Sequence, residues 1–138
     1  MDLFADGLEL RISSLTSLHG PGPRRVDIEV TVPGFSGGYS ACIESSDFRQ
    51  FGEELEQLEG GDGESCTATL TNPERDLCVE LTLGGSGRGH GRYRFDVSPG
   101  GPVSTSVTGV FEFEGSLLPG LRRGVAKLSG HRSARVTG

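Results

Sequence analysis

Cysteine is scarce in this sequence, which has three cysteines in 138 residues, at positions 42, 66 and 78. Their odd number and wide spacing differ from the frameworks of small disulfide-bonded secreted proteins and favour a reducing compartment. The sequence has no Cys-x-x-Cys pair and no cluster of cysteine with histidine, so we expect no structural zinc site. We therefore predict three free thiols, no metal and a cytoplasmic location.

Long apolar runs and an excess of positive charge are also missing. No run approaches the roughly 18–20 apolar residues of a membrane-spanning helix, and the opening MDLFADGLEL lacks the basic start of a signal peptide. The formal net charge is −6, whereas nucleic-acid-binding proteins obtain most of their affinity from a basic surface. We expect neither a membrane nor a nucleic acid as a partner, while a basic protein remains compatible with this acidity.

Glycine is abundant, with 23 residues, and it falls between strand-like runs rather than at a fixed period. This distribution is typical of a β protein with many turns. Apolar and polar residues alternate in seven runs, at positions 8–13, 24–32, 39–44, 64–71, 77–83, 92–98 and 103–114. Because alternation gives each strand one buried and one wet face, it favours an antiparallel sheet.

The sequence predicts one clear helix in its first half, at residues 46–59, SDFRQFGEELEQLE. Phe48, Phe51, Leu55 and Leu58 are spaced three or four apart, so they share one stripe. Gly52 lies beside that stripe, at a cost of about 1 kcal/mol relative to alanine, and indicates the close approach of another backbone. After Ser116 a second apolar stripe predicts a C-terminal helix, formed by Leu117, Leu121, Val125 and Leu128.

The resulting order, βββ-α-ββββ-α, predicts an α+β fold. We expect an antiparallel, mostly meander sheet of about seven strands, with the amphipathic helix and the C-terminal helix on one face. A barrel or sandwich with the helix as a lid is the alternative. Residues 1–128 are expected to form a single domain and residues 129–138 a polar, disordered tail. The predicted register places Leu70 opposite Leu77 and Glu80 opposite Arg94.

Two glycine-rich segments resemble catalytic or phosphate-binding motifs without having their context. Residues 34–38 have the letters G-x-S-x-G around Ser36, but a strand-like run follows where a hydrolase elbow requires a helix. Residues 84–91, GGSGRGHG, have neither the spacing nor the following helix of a phosphate-binding loop, and we expect a flexible loop there. His90, beside Arg88, is either a solvated loop residue or a base that contacts a ligand.

An acidic run covers the predicted helix and the linker after it. Its members are Glu53, Glu54, Glu56, Glu59, Asp62 and Glu64. The ordinary interpretation is the solvated side of an amphipathic helix. The functional interpretation is a docking surface for a basic partner, because clustered charge steers association. No pair of carboxylates stands out as a general acid and base, and we expect no cofactor.

Four segments together resemble the WapI-like group of small bacterial immunity proteins and related uncharacterised actinobacterial domains. They are the helix opening Ser46-Asp47-Phe48-Arg49-Gln50-Phe51 with Leu55 and Leu58, the strand Leu77–Leu83, the segment Gly87-Arg88-Gly89-His90-Gly91-Arg92-Tyr93-Arg94-Phe95, and the turn Pro33-Gly34-Phe35-Ser36-Gly37. The likeness spans residues 8–128 and lies in element order and apolar spacing.

The resemblance implies a cytoplasmic protein that binds and neutralises a bacterial toxin, and it implies no catalytic residues. Two hypotheses follow from the sequence. In the first, the chain is a non-catalytic binding protein for a basic toxin domain, using the acidic helix or the outer face of the sheet. In the second, it is a small ligand-binding protein or hydrolase-like enzyme that uses the loops around Ser36, Arg88 and His90. The oligomeric state is open in both.

Overall fold

The structure is a computed structural model that describes residues 1–14, 23–60, 66–84, 86–97 and 105–129. It is α+β, as predicted, and contains two antiparallel four-stranded sheets. The elements are β1 (Asp2–Ala5), β2 (Leu8–Ser14), β3 (Pro23–Val32), β4 (Phe35–Glu44), α1 (Ser45–Glu59), β5 (Cys66–Thr71), β6 (Leu77–Leu83), β7 (Arg88–Val97), β8 (Thr105–Glu114), a 3-10 turn (Gly115–Leu117) and α2 (Leu118–Leu128).

The described chain therefore repeats one arrangement, a four-stranded meander followed by a helix. The first sheet has the order β1-β2-β3-β4 and the second the order β5-β6-β7-β8. The alternating pattern of the sequence predicts one sheet of about seven strands, and the difference between this prediction and the structure has two sources. β1 has four residues, which is too short for alternation to identify. The helix α1 also separates β4 from β5, so those consecutive strands do not pair.

Backbone and side-chain hydrogen bonds join the two sheets at both sides. On one side Asp6 and Glu112 form an isolated antiparallel bridge, with both N–H···O distances at 3.0 Å. On the other side Asn72 donates to the Cys42 carbonyl at 2.9 Å, and the Tyr39 hydroxyl donates to the Asp76 carbonyl at 2.7 Å. The sheets and both helices consequently share one hydrophobic core.

The helix α1 lies in this core as its apolar stripe predicts. Phe48, Phe51, Leu55 and Leu58 are all buried. The Asp47 carboxylate accepts a hydrogen bond from the Glu44 amide at 3.0 Å, which satisfies a free donor at the start of the helix. At Gly52 an added Cβ would lie 3.5 Å from Val125 Cγ1 of α2. The close neighbour of this glycine is thus a side chain of α2 rather than a backbone.

The register between β5 and β6 differs from the predicted one by two residues. Leu70 is opposite Val79 and not Leu77. The reason is the turn, in which Asn72 is buried and its side-chain oxygen accepts from the Leu77 amide at 3.2 Å. A shift of two residues keeps every side chain on its predicted face.

The next pair of strands shows the same displacement. Glu80 is opposite Arg92 rather than Arg94. A Glu80 carboxylate oxygen lies 3.2 Å from the Arg92 guanidinium. The predicted cross-strand ion pair on the outer face therefore exists with a different arginine.

The three cysteines are free in the structure. Cys66 packs against the core, whereas Cys78 lies between the buried Leu77 and Val79 and so faces outward, as predicted. Burial, reinforced by the nearby charge of Glu80, raises the pKa of the Cys78 thiol.

Thiol titration of the denatured, unreduced protein is expected to count three thiols. Cys78 should react more slowly in the folded protein than after denaturation, because a raised pKa lowers the thiolate fraction that attacks the reagent. The measurement is a spectrophotometric disulfide-exchange assay with and without denaturant, and C78S is the matched control. A count of one would contradict both the strand faces and the reducing compartment.

Candidate functional site

The acidic residues of α1 include two that the fold itself uses. The Glu54 side chain accepts a hydrogen bond from the Thr69 amide of β5 at 2.8 Å. The Glu59 carboxylate binds the Arg122 guanidinium of α2 through two contacts, at 2.9 and 3.2 Å. These two carboxylates therefore attach α1 to β5 and to α2, which makes them poor candidates for a partner surface.

Glu53, Glu56 and Glu59 are the exposed members of the run among the described residues, and Glu59 is the one held by two contacts with Arg122. Glu56 reaches Arg122 at only 3.6 Å, and 72% of its side chain is exposed. Glu53 has no hydrogen-bond or ion-pair partner within the described ranges. Asp62 and Glu64, which belong to the predicted partner surface, lie outside the described residues. The charge available to a partner on α1 is thus concentrated on Glu53 and Glu56.

These two glutamates line a groove between α1 and α2 with a volume of about 270 Å³. Gly52 and Val125 form part of its floor, and Arg49 and Arg122 also contribute to its lining. The absence of a side chain at Gly52 keeps the groove open, because a larger residue would fill the space above Val125. We call this surface, made of Glu53, Glu56 and the residues of the groove, the α1–α2 groove.

Arg88 and His90 lie on a strand rather than in the flexible loop that the glycine-rich sequence predicts. β7 begins at Arg88, and its alternating burial places Gly89 and Gly91 inside and Arg88 and His90 outside. The glycines face inward because aromatic rings cover them. An added Cβ at Gly89 would lie 2.2 Å from Phe113 Cζ.

The same alternation places four cationic or titratable residues on the outer face of β7. They are Arg88, His90, Arg92 and Arg94, all exposed. Arg94 binds the Asp96 carboxylate at 2.7 Å, and Ser106 donates to the same carboxylate. These hydrogen bonds lower the pKa of Asp96, the one from Arg94 contributing most. Arg92 is paired with Glu80, so the outer face of the second sheet is a mixed rather than a purely basic surface.

Arg88 and His90 also line an open cavity of about 290 Å³ where β1 meets β8. Asp6, Glu112 and Glu114 are its carboxylates. These acids have no local signal in the sequence, because their position depends on the contact between Asp6 and Glu112, which are distant in the chain. A cavity with both charge signs can bind a small zwitterion or the charged side chain of a partner.

Ser36 does not belong to this cavity. It lies on β4 after the turn at Pro33 and Gly34, where Gly34 has φ +85. Its hydroxyl is 3.3 Å from the Thr31 hydroxyl. In the hydrogen-bonded order of the first sheet, β3 and β2 separate it from β1. The structure therefore assigns Ser36 to a hairpin, and it does not assemble Ser36, Arg88 and His90 into one site.

A further polar cleft, of about 650 Å³, lies beside the junction of β4 with the second sheet. Its charged lining consists of Arg25, Glu74, Asp76, Arg94 and Asp96. Next to it, burial raises the pKa of the Tyr39 hydroxyl, and Asp76 and Asp96 add to the effect. The sequence pattern gives no signal for this cleft, because the two sheets form it together.

In the residues that the structure describes, no group of three or more His, Cys, Asp or Glu side chains could hold a metal ion. None of the described helices is both long enough and apolar enough to cross a membrane. Comparisons of the chain with protein-family models, with curated proteins and with solved structures found no match.

Proposed function

We propose that this chain is a non-catalytic, cytoplasmic binding protein that neutralises a bacterial toxin by contacting a basic toxin domain. The observation that carries the proposal is the α1–α2 groove, where Glu53 and Glu56 remain exposed while the neighbouring Glu54 and Glu59 are used within the fold. The resemblance to WapI-like immunity proteins supplies the toxin as the class of partner. The binding surface would therefore be built from α1 and α2.

Electrostatics favours this surface as the place of first encounter. Exposed carboxylates raise the rate of association with a basic partner, and salt screens the effect over a Debye length of about 8 Å at physiological ionic strength. Arg49 in the groove adds a donor that can pair with an acid on the partner. The groove would thus both raise the rate of association with a basic partner and contribute to the choice of that partner.

The E53K/E56K double variant is expected to associate with the toxin domain about tenfold more slowly, with a flatter salt dependence. Folding should be unaffected, because both side chains are exposed. The measurement is stopped-flow association at several ionic strengths. The matched control is E9K/E74K, which changes the net charge of −6 by the same amount at two other exposed positions.

If both double variants slow association equally, the effect is due to net charge and the groove has no special role.

The decisive trial is co-expression of this chain with a toxin domain encoded by a neighbouring gene. We expect the cells to survive only when this chain is present, and we expect the purified pair to associate. Equal killing with and without the chain, together with no association at micromolar concentration, would refute the immunity proposal.

Small-ligand binding at the cavity of Arg88 and His90 is the second candidate function. It is favoured by the three carboxylates, Asp6, Glu112 and Glu114, that line the same cavity as these two residues. An amide NMR titration with free arginine, a zwitterion with a cationic side chain, would shift the signals of Gly89 and Gly91 if the cavity binds such a ligand. Unchanged spectra at millimolar arginine would count against it.

A further inference from the structure

The sheet edges of this fold are protected unequally. The edges of β1 and β8 meet in the bridge between Asp6 and Glu112. The edge of β5 is covered by α1, whose Glu54 accepts a hydrogen bond from the Thr69 amide. The remaining edge belongs to β4, which pairs with β3 alone. Part of it is also covered, since Asn72 binds the Cys42 carbonyl.

The open part of the β4 edge is residues 36–40. A two-residue turn joins β3 to β4 and places Val32 opposite Phe35. In an antiparallel pair, alternate residues direct their backbone groups to the neighbouring strand. The amides and carbonyls of Phe35, Gly37 and Tyr39 therefore point to β3, and those of Ser36, Gly38 and Ser40 point away from it. Within the described residues no backbone hydrogen bond reaches these three.

This open edge also lacks the residues that normally protect an edge strand. Natural edges carry lysine, proline, bulges or inward-pointing charges that prevent pairing with another chain. The sequence of residues 36–40 is SGGYS, without charge and without proline. Ser36, Gly37, Gly38 and Ser40 are exposed. The edge is therefore available for pairing with a further strand.

We infer that the β4 edge pairs with the β4 edge of a second copy of this chain, in an antiparallel arrangement whose twofold axis passes through Gly38. Only residues that present their backbone groups outward can exchange hydrogen bonds in such a pair. The pairs are then Gly38 with Gly38 and Ser36 with Ser40 of the second copy. The two first sheets become one continuous sheet of eight strands.

The side chains of this arrangement do not oppose the pairing. Gly37 lies opposite Tyr39 of the second copy, and neither residue has to form a new side-chain contact. The Phe35 ring of the same chain already lies over Gly37, 3.0 Å from an added Cβ, and the Tyr39 hydroxyl already donates to the Asp76 carbonyl. No charged residue takes part in the new pairs themselves, and the charges of the cleft that Ser40 lines are of both signs.

The two copies of Glu29, which pairs with Gly38 within each chain, face each other across the new strand pair. Three strand spacings would separate them, about 14 Å. This distance exceeds the Debye length of about 8 Å at physiological ionic strength, so their repulsion is largely screened. The inferred dimer uses β4, whereas the proposed toxin surface uses α1 and α2, so either can fail without the other.

Because the register fixes which residues lie opposite each other, charged substitutions at Ser36 and Ser40 can test the proposed dimer. In S36K/S40K, like charges lie directly opposite each other in both Ser36–Ser40 pairs, which destabilises a strand pair. In S36K/S40E, opposite charges lie opposite each other in both pairs. The matched control is T108K/S116K, which adds the same charge as S36K/S40K at exposed positions away from β4.

Sedimentation equilibrium from about 1 µM to about 1 mM measures the association by mass action. The wild-type mass is expected to rise from 14.5 kDa towards twice that value. S36K/S40K should dimerise at least about tenfold more weakly, while S36K/S40E and the control should dimerise at least as well as the wild type. Far-UV circular dichroism confirms that each variant is folded.

Three results would overturn the inference. The first is a wild-type protein that stays monomeric up to millimolar concentration, which would leave the β4 edge free for a strand of another protein. The second is undiminished association of folded S36K/S40K, which would place the dimer contact elsewhere. The third is a monomeric, folded S36K/S40E, which would exclude the register centred on Gly38.

Discussion

Replacing Phe51 with alanine is expected to lower the free energy of unfolding by about 3–5 kcal/mol, the range for emptying a buried aromatic site. Phe51 is 0% exposed and belongs to the core that both sheets and both helices share. The loss combines the transfer free energy of the ring with the cavity that remains. α1 contacts β5, α2 and β4, so the surrounding elements are tied to several neighbours and can only partly close that cavity.

Urea unfolding followed by circular dichroism measures this effect. The matched control is Phe4→Ala, because Phe4 has the same side chain but is 50% exposed. We expect the control to lose no more than about 1 kcal/mol, which reflects the partial burial of its ring and its contact with Arg11. Equal losses for the two variants would show that α1 does not organise the core.

Alternation along the chain predicts most of this fold, because it reports which face of each strand is buried. The face assignments hold for Leu70, Val79 and Tyr93, all of which are buried. The division into two sheets was not predicted, because it depends on which strand edges meet in space. The bridge between Asp6 and Glu112 joins residues more than one hundred positions apart, and neither residue carries a local signal for it.

The candidate sites were predicted less well, since the roles of their residues are set by distant neighbours. Glu53 and Glu54 are adjacent and identical in type, but only Glu54 faces the Thr69 amide. Glu59 is held by Arg122, which is 63 positions later in the chain. A local pattern can indicate an acidic surface, but it cannot separate the carboxylates that bind within the fold from those that remain exposed.

The glycines of β7 show why the segment before Tyr93 was interpreted as a loop. Its glycines suggest flexibility, but Gly89 and Gly91 continue the inward alternation of Tyr93 and Phe95. Each is directly opposite a phenylalanine of β8. Glycine lowers the stability of a strand because it has no side chain to pack, and a ring from the neighbouring strand can supply the missing contact.

Gly91→Ala is expected to destabilise the protein by about 3 kcal/mol, at the upper end of the usual range for overpacking. The added Cβ would lie 2.3 Å from Phe111 Cζ and 2.5 Å from the Glu80 carbonyl oxygen. The ring can move, but the carbonyl belongs to the backbone of β6, the neighbouring strand. The whole ladder must therefore shift to accept the methyl group.

Gly89→Ala is a useful comparison for Gly91→Ala, because the atoms nearest to the added Cβ differ between the two positions. The three atoms nearest to its added Cβ, at 2.2 to 2.6 Å, all belong to the ring of Phe113, whereas a backbone carbonyl is among the three nearest at Gly91. Its cost is expected to be smaller, about 1–3 kcal/mol. Phe113→Leu should recover part of the loss in Gly89→Ala, because the shorter side chain vacates the space. Phe111→Leu should recover little in Gly91→Ala, because the Glu80 carbonyl remains.

Urea unfolding of both double-mutant cycles tests this asymmetry, since the coupling energy isolates the contact between glycine and ring. Gly120→Ala is the control, because this exposed glycine of α2 has only the end of the Arg123 side chain within 4 Å, and alanine favours a helix by about 1 kcal/mol. A favourable coupling is expected in the Gly89 cycle and almost none in the Gly91 cycle. Equal coupling in both cycles would mean that the β6 backbone yields as easily as a ring. In that case packing against the aromatic residues alone would explain why glycine occupies these positions.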